Sequence, residues 1–172
     1  MPTANPFWEF SLAVYGKPGV AEACLRLQDS AGLDVNLLLY CGWIATVREA
    51  PMTEPEMRNG VTLTREWREQ VVSTLREIRR GLKSGAEGLP ANAVESFRSD
   101  VKRLELASER LQQDMLFGCT AAATALRCDA AAVARRAEEN IALYLSVISA
   151  APTAALLDDC RCIAGAAAQL QD

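Results

Sequence analysis

The sequence contains no histidine. Without imidazole the chain cannot build a Ser-His-Asp or Cys-His catalytic relay, or a zinc site with a histidine ligand. It also lacks a phosphate loop of the Gly-x-x-x-x-Gly-Lys type and a Gly-x-Ser-x-Gly elbow. Because the familiar enzyme signatures are missing, we assign no catalytic residue and predict a non-enzymatic role over an enzymatic one.

Long apolar runs are scarce as well. The densest run extends from Val35 to Val47 and includes Asn36, whereas a membrane-spanning helix needs about 20 apolar residues. The N-terminal residues carry no basic cluster, and their apolar stretch is interrupted at Glu9, so we expect no secretory signal. These features together predict a cytoplasmic protein without a membrane span.

Six cysteines are spread along the chain: Cys24, Cys41, Cys119, Cys128, Cys160 and Cys162. Their spacings include no Cys-x-x-Cys zinc knuckle, and a reducing cytoplasm keeps thiols free. We predict that they pack as small apolar side chains and that the protein needs no metal or other cofactor. A redox-sensitive pair at Cys160 and Cys162, on either side of Arg161, is the alternative.

The composition is typical of one globular domain. Hydrophobic residues make up 50% and charged residues 23% of the 172 positions, and this length suits a single core. The net charge of −4 provides no general attraction for nucleic acid. No stretch shows the sustained period-two alternation of a half-buried strand. We therefore predict one all-α domain over residues 1–172, a bundle of about six or seven helices.

Capping residues and glycines mark the helix ends in residues 5–49, where three short helices are expected. The first begins at Asn5 and ends at Gly16, the second ends at Gly32, and the third is capped by Asp34. The third helix has almost no polar face, so the other helices must surround it.

The rest of the chain is divided into a linker, a hairpin and a C-terminal part. Residues 50–63 contain two prolines and a glycine and predict a linker. Residues 64–118 predict a long antiparallel helical hairpin, and residues 119–172 predict further helices capped by Asp129 and Thr153. The apolar seam of the hairpin is expected to contain Trp67, Val71, Leu75, Ile78 and Leu82 on one helix and Val94, Phe97, Val101, Leu104, Leu111 and Met115 on the other.

The first helix of this hairpin also carries a basic face. Six cationic residues fall within about a third of its circumference: Arg65, Arg68, Arg76, Arg79, Arg80 and Lys83. This face predicts docking of an acidic protein partner. Two alternatives stay open: simple solvation, or pairing with the acidic residues Asp100, Glu105, Glu109 and Asp114 of the next helix. Nucleic acid is disfavoured because no interleaved aromatic residues offer stacking platforms.

A second candidate site combines polar residues at the start of the third helix with aromatic residues nearby: Trp8, Asp34, Asn36, Tyr40 and Trp43. Helical bundles form ligand pockets between their helices, and these residues would line such a pocket for a small apolar ligand. The alternative is structural. In that case Asp34 acts as a cap, Asn36 serves the free amides of the first turn, and Tyr40 packs into the core.

Three segments give the chain a recognisable pattern: Asn-Pro-Phe-Trp-Glu-Phe-Ser-Leu at residues 5–12, Pro-Gly-Val-Ala-Glu-Ala-Cys-Leu at 18–25, and Gly-Leu-Asp-Val-Asn-Leu-Leu-Leu-Tyr at 32–40. With them, roughly the first half of the chain resembles a small family of uncharacterised proteobacterial proteins. The resemblance implies a bacterial cytosolic protein. It brings no assigned activity, and therefore no site residues.

Two function hypotheses follow. The first is an interaction or adaptor protein that docks a protein partner through the basic face; self-association through the apolar seam of the hairpin is a further possibility. The second is a small-ligand-binding protein, or an enzyme, that uses a cavity between its helices.

Overall fold

The computed structural model describes residues 5–120 and 129–170. In these two ranges the regular structure is helical and no strand occurs, which confirms the predicted all-α class. A short π-helix, Arg68–Val72, joins α4 to α5, and a 3-10 turn, Leu82–Ser84, follows α5. The α-helices are α1 (Pro6–Tyr15), α2 (Val20–Ala31), α3 (Val35–Val47), α4 (Glu54–Trp67), α5 (Ser73–Gly81), α6 (Ala91–Gly118), α7 (Ala130–Val147) and α8 (Ala154–Ala168).

The predicted caps define most of these helix ends. The side chain of Asn5 accepts hydrogen bonds from the amides of Phe7 and Trp8 at the start of α1. Asp129 and Thr153 cap α7 and α8 in the same way. Of the predicted C-terminal part, residues 121–128 lie outside the described residues, so the prediction for the segment from Cys119 to Cys128 is not tested beyond Thr120. None of the helices in the described ranges is both long and apolar enough to cross a membrane.

Helix α3 lies at the centre of the bundle, as its apolar sequence predicts. Every residue from Asn36 to Val47 is buried, and α1, α6, α7 and α8 all pack against this helix. Gly42 allows α8 to come close, because a Cβ atom at this position would lie 3.2 Å from the Cβ atom of Ala167. The core therefore forms around one short helix.

Two buried polar side chains of α7 also bind α3, and the sequence analysis missed both. Arg136 donates a 2.8 Å hydrogen bond to the carbonyl of Ala45, near the end of α3. Asn140 donates to the carbonyl of Cys41 at 3.0 Å and accepts from the amide of Met52 at 2.7 Å. Arg136 supplies the partner that a carbonyl in the last turn of a buried helix needs, and Asn140 links the middle of α3 to the connection that follows this helix.

The predicted linker is wrong from residue 54 onward, because α4 begins at Glu54. Thr53 and Glu56 form a capping box, in which the Glu56 carboxylate accepts a 2.7 Å hydrogen bond from the amide of Thr53. Pro55 falls in the first turn, where the missing N–H has no intrahelical partner to lose. The two prolines therefore lie on either side of a helix start, and the connection before it ends at Thr53.

The capping box predicts a pH-dependent contribution to stability. The hydrogen bond from Arg48 is the largest cause that lowers the pKa of Glu56 from 4.5 to about 2. A group whose pKa falls on folding stabilises the protein above its unfolded pKa and loses that contribution at lower pH. We expect Glu56→Gln to be less stable than wild type at neutral pH. The difference should disappear as the pH falls from 4.5 to about 2.

Urea denaturation of both proteins across this pH range measures the difference. The matched control is Glu49→Gln, because Glu49 is exposed and forms no ion pair among the described residues. A difference between wild type and Glu56→Gln that is constant with pH would contradict the role of the ionised carboxylate.

The hairpin forms, and its two arms are antiparallel. Trp67 donates from its indole N–H to the carbonyl of Ser108 at 2.9 Å. Arg79 follows Trp67 on the first arm, but its partner Glu105 precedes Ser108 on the second arm. The first arm runs from Glu54 through the π-helix to Gly81, and the second arm is α6.

The predicted seam of the hairpin is only partly correct. Val94 and Val101 are buried, but Phe97, Leu104 and Leu111 are 57%, 59% and 50% exposed. Polar residues of α6 take their place in the interior: Glu105, Ser108, Gln112 and Gln113.

The first arm changes register at the π-helix. The structure buries Val72 and leaves Val71 half-buried and Ile78 exposed. A π-turn contains one more residue than an α-turn, so the buried face advances by one position beyond it. An α-helical repeat applied to the whole arm therefore selects Val71 instead of Val72 and wrongly includes Ile78, whereas Leu75 and Leu82 are half-buried, as Trp67 is.

Candidate functional site

A cavity of about 370 Å³ lies between α1, α2, the start of α3, the π-helix and the middle of α6. Three of the five predicted pocket residues, Trp8, Asp34 and Asn36, line it. The π-helix contributes Arg68 and Val72 to the wall. Single π-turns within α-helices are often found at functional sites.

Tyr40 and Trp43 do not line the cavity. The hydroxyl of Tyr40 lies 3.3 Å from the hydroxyl of Thr120, and Trp43 packs against Phe7 and Phe10. On a rise of about 1.5 Å per residue, Tyr40 is about 6 Å and Trp43 about 10 Å further along α3 than Asn36. The prediction that all five residues share one pocket is therefore wrong for these two.

Four apolar residues form a rim around the cavity: Leu12, Tyr15, Leu25 and Leu106. Each is between 40% and 51% exposed, so together they present apolar surface at the edge of the cavity. They come from α1, α2 and α6, so the rim forms only when these three helices meet. We call these four residues the rim below.

The floor of the cavity is a chain of side-chain hydrogen bonds that starts at Asp34. The Asp34 carboxylate caps α3 by accepting from the amide of Asn36 at 3.0 Å, and its other oxygen accepts from the Gln112 side chain at 2.6 Å. Gln112 accepts from the Asn36 side chain at 2.9 Å, and Asn36 accepts from the Gln113 side chain at 2.8 Å. We call this sequence of contacts, Asp34–Gln112–Asn36–Gln113, the amide relay.

Asp34 is the buried charge in this relay. Burial raises the pKa of its carboxyl group, and the guanidinium of Arg68 and the hydrogen bond from Gln112 partly offset the increase. The Nε atom of Arg68 lies 3.5 Å from the carboxylate, and the same guanidinium donates to the carbonyl of Gly32 at 2.5 Å. Asp34 therefore acts as a helix cap and as the fixed acceptor of the relay.

A cluster of ion pairs forms a second wall. Arg76 donates to Glu105 at 2.9 Å and to Glu109 at 2.6 Å, and Arg79 also binds Glu105. Burial alone would raise the pKa of Glu105, but the hydrogen bonds from Arg79 and Arg76 more than offset it, so this pKa is lowered. Burial raises the pKa of Glu109. Each charge in this wall already has a partner.

The structure therefore places the six residues of the predicted basic face in different surroundings. Arg68, Arg76 and Arg79 line the cavity, and Arg80 pairs with Asp29 of α2. Arg65 and Lys83 are exposed and form no salt bridge within the described part of the chain. Of the acidic residues proposed as intramolecular partners, Glu105 and Glu109 bind these arginines, whereas Asp100 pairs with Arg103 and Asp114 accepts from Asn5.

Two of the residues that line the cavity each contain a buried polar atom with no hydrogen-bond partner among the described residues: Ser11 Oγ and Gln113 Oε1. Ser11 is 3% and Gln113 2% exposed, so solvent does not compensate for the missing partner. Buried polar atoms in folded proteins almost always form a hydrogen bond, and an exception needs an explanation.

Sequence reasoning missed Ser11, Gln112 and Gln113. A signal was present for α6, because Glu105, Ser108 and Gln112 recur at steps of three and four, as a buried helix face does. Polar residues at that spacing indicate a buried polar stripe. For Ser11, which lies between aromatic and apolar residues of α1, the sequence holds no comparable signal.

The part of the chain that contains the cavity matches a known protein family. A family model described as "Protein of unknown function (DUF2390)" matches residues 6–116. The chain belongs to this family. Every residue that lines the cavity lies within the matched DUF2390 region, whereas α7 and α8 lie beyond it. No curated protein and no solved structure matches the chain.

Burial makes two of the described thiols less acidic than a free cysteine. Burial raises the pKa of Cys160 to about 11 and that of Cys24 to about 12, which disfavours the thiolate at neutral pH. No cluster of three or more cysteine or acidic residues within 5–120 and 129–170 has the geometry to hold a metal ion. Cys128 lies outside these ranges.

Proposed function

We propose that this DUF2390 protein binds a small molecule in the cavity between α1, α2, α3 and α6. The observation that carries the proposal is the cavity itself, whose lining combines the apolar rim with the polar side chains of the amide relay. Ligand sites typically combine a mainly apolar lining with a few polar groups that fix the orientation of the ligand.

The size and rigidity of the cavity support this function. A volume of about 370 Å³ falls within the range of about 300–1,000 Å³ that is common for ligand sites. The amide relay and the Arg76 ion pairs fix most polar groups of the wall before any ligand arrives. Such preorganisation lowers the entropy lost on binding.

We propose binding rather than turnover for a related reason. Asp34, Glu105 and Glu109 are the carboxyl groups of the cavity lining, and each accepts hydrogen bonds from an amide or a guanidinium. A general acid or base must reach the substrate with its own proton or lone pair. Groups that are already committed to structural partners suit recognition better than proton transfer.

Protein interaction is the second candidate, and α6 favours it. Phe97, Leu104 and Leu111 recur every seven residues and form an exposed apolar stripe, the kind of surface that often marks a contact with another chain. The stripe is symmetric about Leu104, so two antiparallel copies of α6 would place Phe97 opposite Leu111. The basic face offers less support for docking, because Arg68, Arg76, Arg79 and Arg80 already have acceptors.

Native mass spectrometry of the protein purified from its own cells tests both candidates. We expect the 18.6 kDa chain to carry additional mass from a retained small molecule. Val35→Phe fills part of the cavity and should lose this mass. Val61→Phe is the matched control, since Val61 is also a half-buried helical valine but does not line the cavity, and it should keep the mass.

The other outcomes are equally informative. A bare chain in all three proteins would contradict the cavity proposal, as would equal retention by Val35→Phe and Val61→Phe. A doubled mass that Leu104→Asp returns to the monomer would support self-association through α6.

A further inference from the structure

We propose that the ligand is a small carboxylic acid, bound as its anion, with an apolar body that covers the rim. This inference rests on the proposed cavity function and specifies the chemistry of its ligand. It follows from one cation at the edge of the cavity, Lys102, and from the apolar surface beside that cation.

Lys102 lines the cavity, is exposed, and forms no ion pair among the described residues. On a helix, a lysine can pair with a carboxylate three or four residues away. The one acidic residue at that spacing is Glu105, and its carboxylate instead binds Arg76 and Arg79 of the opposite arm. The packing of the hairpin therefore leaves Lys102 free to bind an external anion.

The cavity lining has an excess of one positive charge. Its charged residues are four cations and three carboxyl groups: Arg68, Arg76, Arg79, Lys102, Asp34, Glu105 and Glu109. The three arginines pair with the three carboxyl groups, so Lys102 carries the excess. A carboxylate has the single negative charge that balances it, whereas a phosphate monoester has nearly two.

The position of Lys102 suits an anion. Because Lys102 is exposed, a carboxylate beside it keeps part of its hydration and avoids the desolvation cost of a fully buried charge. An exposed ion pair contributes little to affinity. Lys102 would therefore select the charge of the ligand, while burial of apolar surface would supply most of the binding free energy.

The apolar body is inferred from the rim. Leu106 follows Lys102 by about one helical turn, so the two residues lie on the same face of α6. Leu12, Tyr15 and Leu25 complete the rim on α1 and α2. At about 30 Å³ for each water-sized group, 370 Å³ holds roughly a dozen such groups, the size of an acid of about eight to ten carbon atoms.

Two probe molecules test the inference: octanoate, and octanol as its uncharged counterpart. Titrations followed by NMR give the dissociation constant of each. Lys102→Met removes the charge and keeps a long apolar side chain, so we expect the dissociation constant of octanoate to rise by about threefold to fivefold. The constant of octanol should not change, and Lys102→Arg should bind octanoate as wild type does.

Two control variants locate the effect. Lys83→Met causes the same change in net charge, but Lys83 is an exposed lysine that does not line the cavity, so both constants should stay at their wild-type values. Val35→Phe fills part of the cavity and should weaken binding of both probes. Because Lys102 is exposed, Lys102→Met should fold as wild type does, and its NMR spectrum checks this.

Four results would overturn the inference: no binding of octanoate to wild type, octanoate binding that Val35→Phe does not weaken, equal effects of Lys102→Met on the two probes, or the same loss of octanoate affinity in Lys83→Met. The native mass measurement separates this failure from failure of the cavity proposal. A retained molecule without an acidic group would reject the carboxylate and leave the cavity function intact.

Discussion

Phe7→Ala should lower the free energy of unfolding by about 3–5 kcal/mol. Phe7 is fully buried at the start of α1, with its ring centroid 5.5 Å from that of Tyr40 and 6.1 Å from that of Trp43. Its truncation removes a large apolar side chain and leaves a cavity beside α3 that rigid neighbours cannot refill. A domain typically has a total stability of about 5–15 kcal/mol, so the variant should lose a large fraction of it.

Phe97→Ala is the control with the same chemical change. Phe97 lies on α6 and is 57% exposed, so the substitution should alter stability by no more than about 0.5 kcal/mol. Urea denaturation followed by circular dichroism measures both values. Equal losses in the two variants would contradict the placement of α1 against the core.

Asp34→Ala should lower the free energy of unfolding by about 2–4 kcal/mol. The substitution removes the cap of α3 and leaves the buried Gln112 side chain without its acceptor. Arg68 also loses its nearby carboxylate. Burial raises the pKa of Asp34, which shows that the ionised form carries a desolvation cost, and removal of this cost limits the net loss.

Asp129→Ala provides the comparison. Asp129 caps α7 by accepting from the amide of Ala132, but it is exposed and has no second hydrogen-bonded side chain among the described residues. Loss of a cap alone costs about 1 kcal/mol. Thermal or urea unfolding that gives the same loss for Asp34→Ala and Asp129→Ala would mean that the amide relay contributes nothing to stability.

Together these variants separate two roles of the N-terminal half. Phe7 belongs to the apolar packing around α3, whereas Asp34 belongs to the polar wall of the cavity. Tyr40 and Trp43, which contact Phe7, lie about 9 Å or more beyond Asp34 along α3, so the two effects on stability should be close to additive. A ligand that binds the cavity should raise the stability of Phe7→Ala, since binding stabilises the folded state by mass action.

The hairpin is the clearest case in which periodicity was not sufficient. A three-four repeat selects Phe97, Leu104 and Leu111 as interior residues, but the structure exposes all three. The interior positions are instead taken by Glu105, Ser108 and Gln112, whose partners lie far away in sequence. Apolar spacing alone cannot predict a polar interior, because its stability depends on partners supplied by other helices.

The sequence by itself determined the all-α class, most helix ends and the central place of α3. These depend on local interactions: a capping side chain such as Asn5 binds amides two and three residues away, and an apolar helix must be surrounded wherever it lies. Only the tertiary structure decided the cavity. Its relay joins Asp34 to Gln112 across most of the matched region, and its rim joins three helices, so no local pattern contains either. The register shift at Arg68–Val72 was likewise visible only in the tertiary structure, because no local pattern in the sequence marked the π-turn.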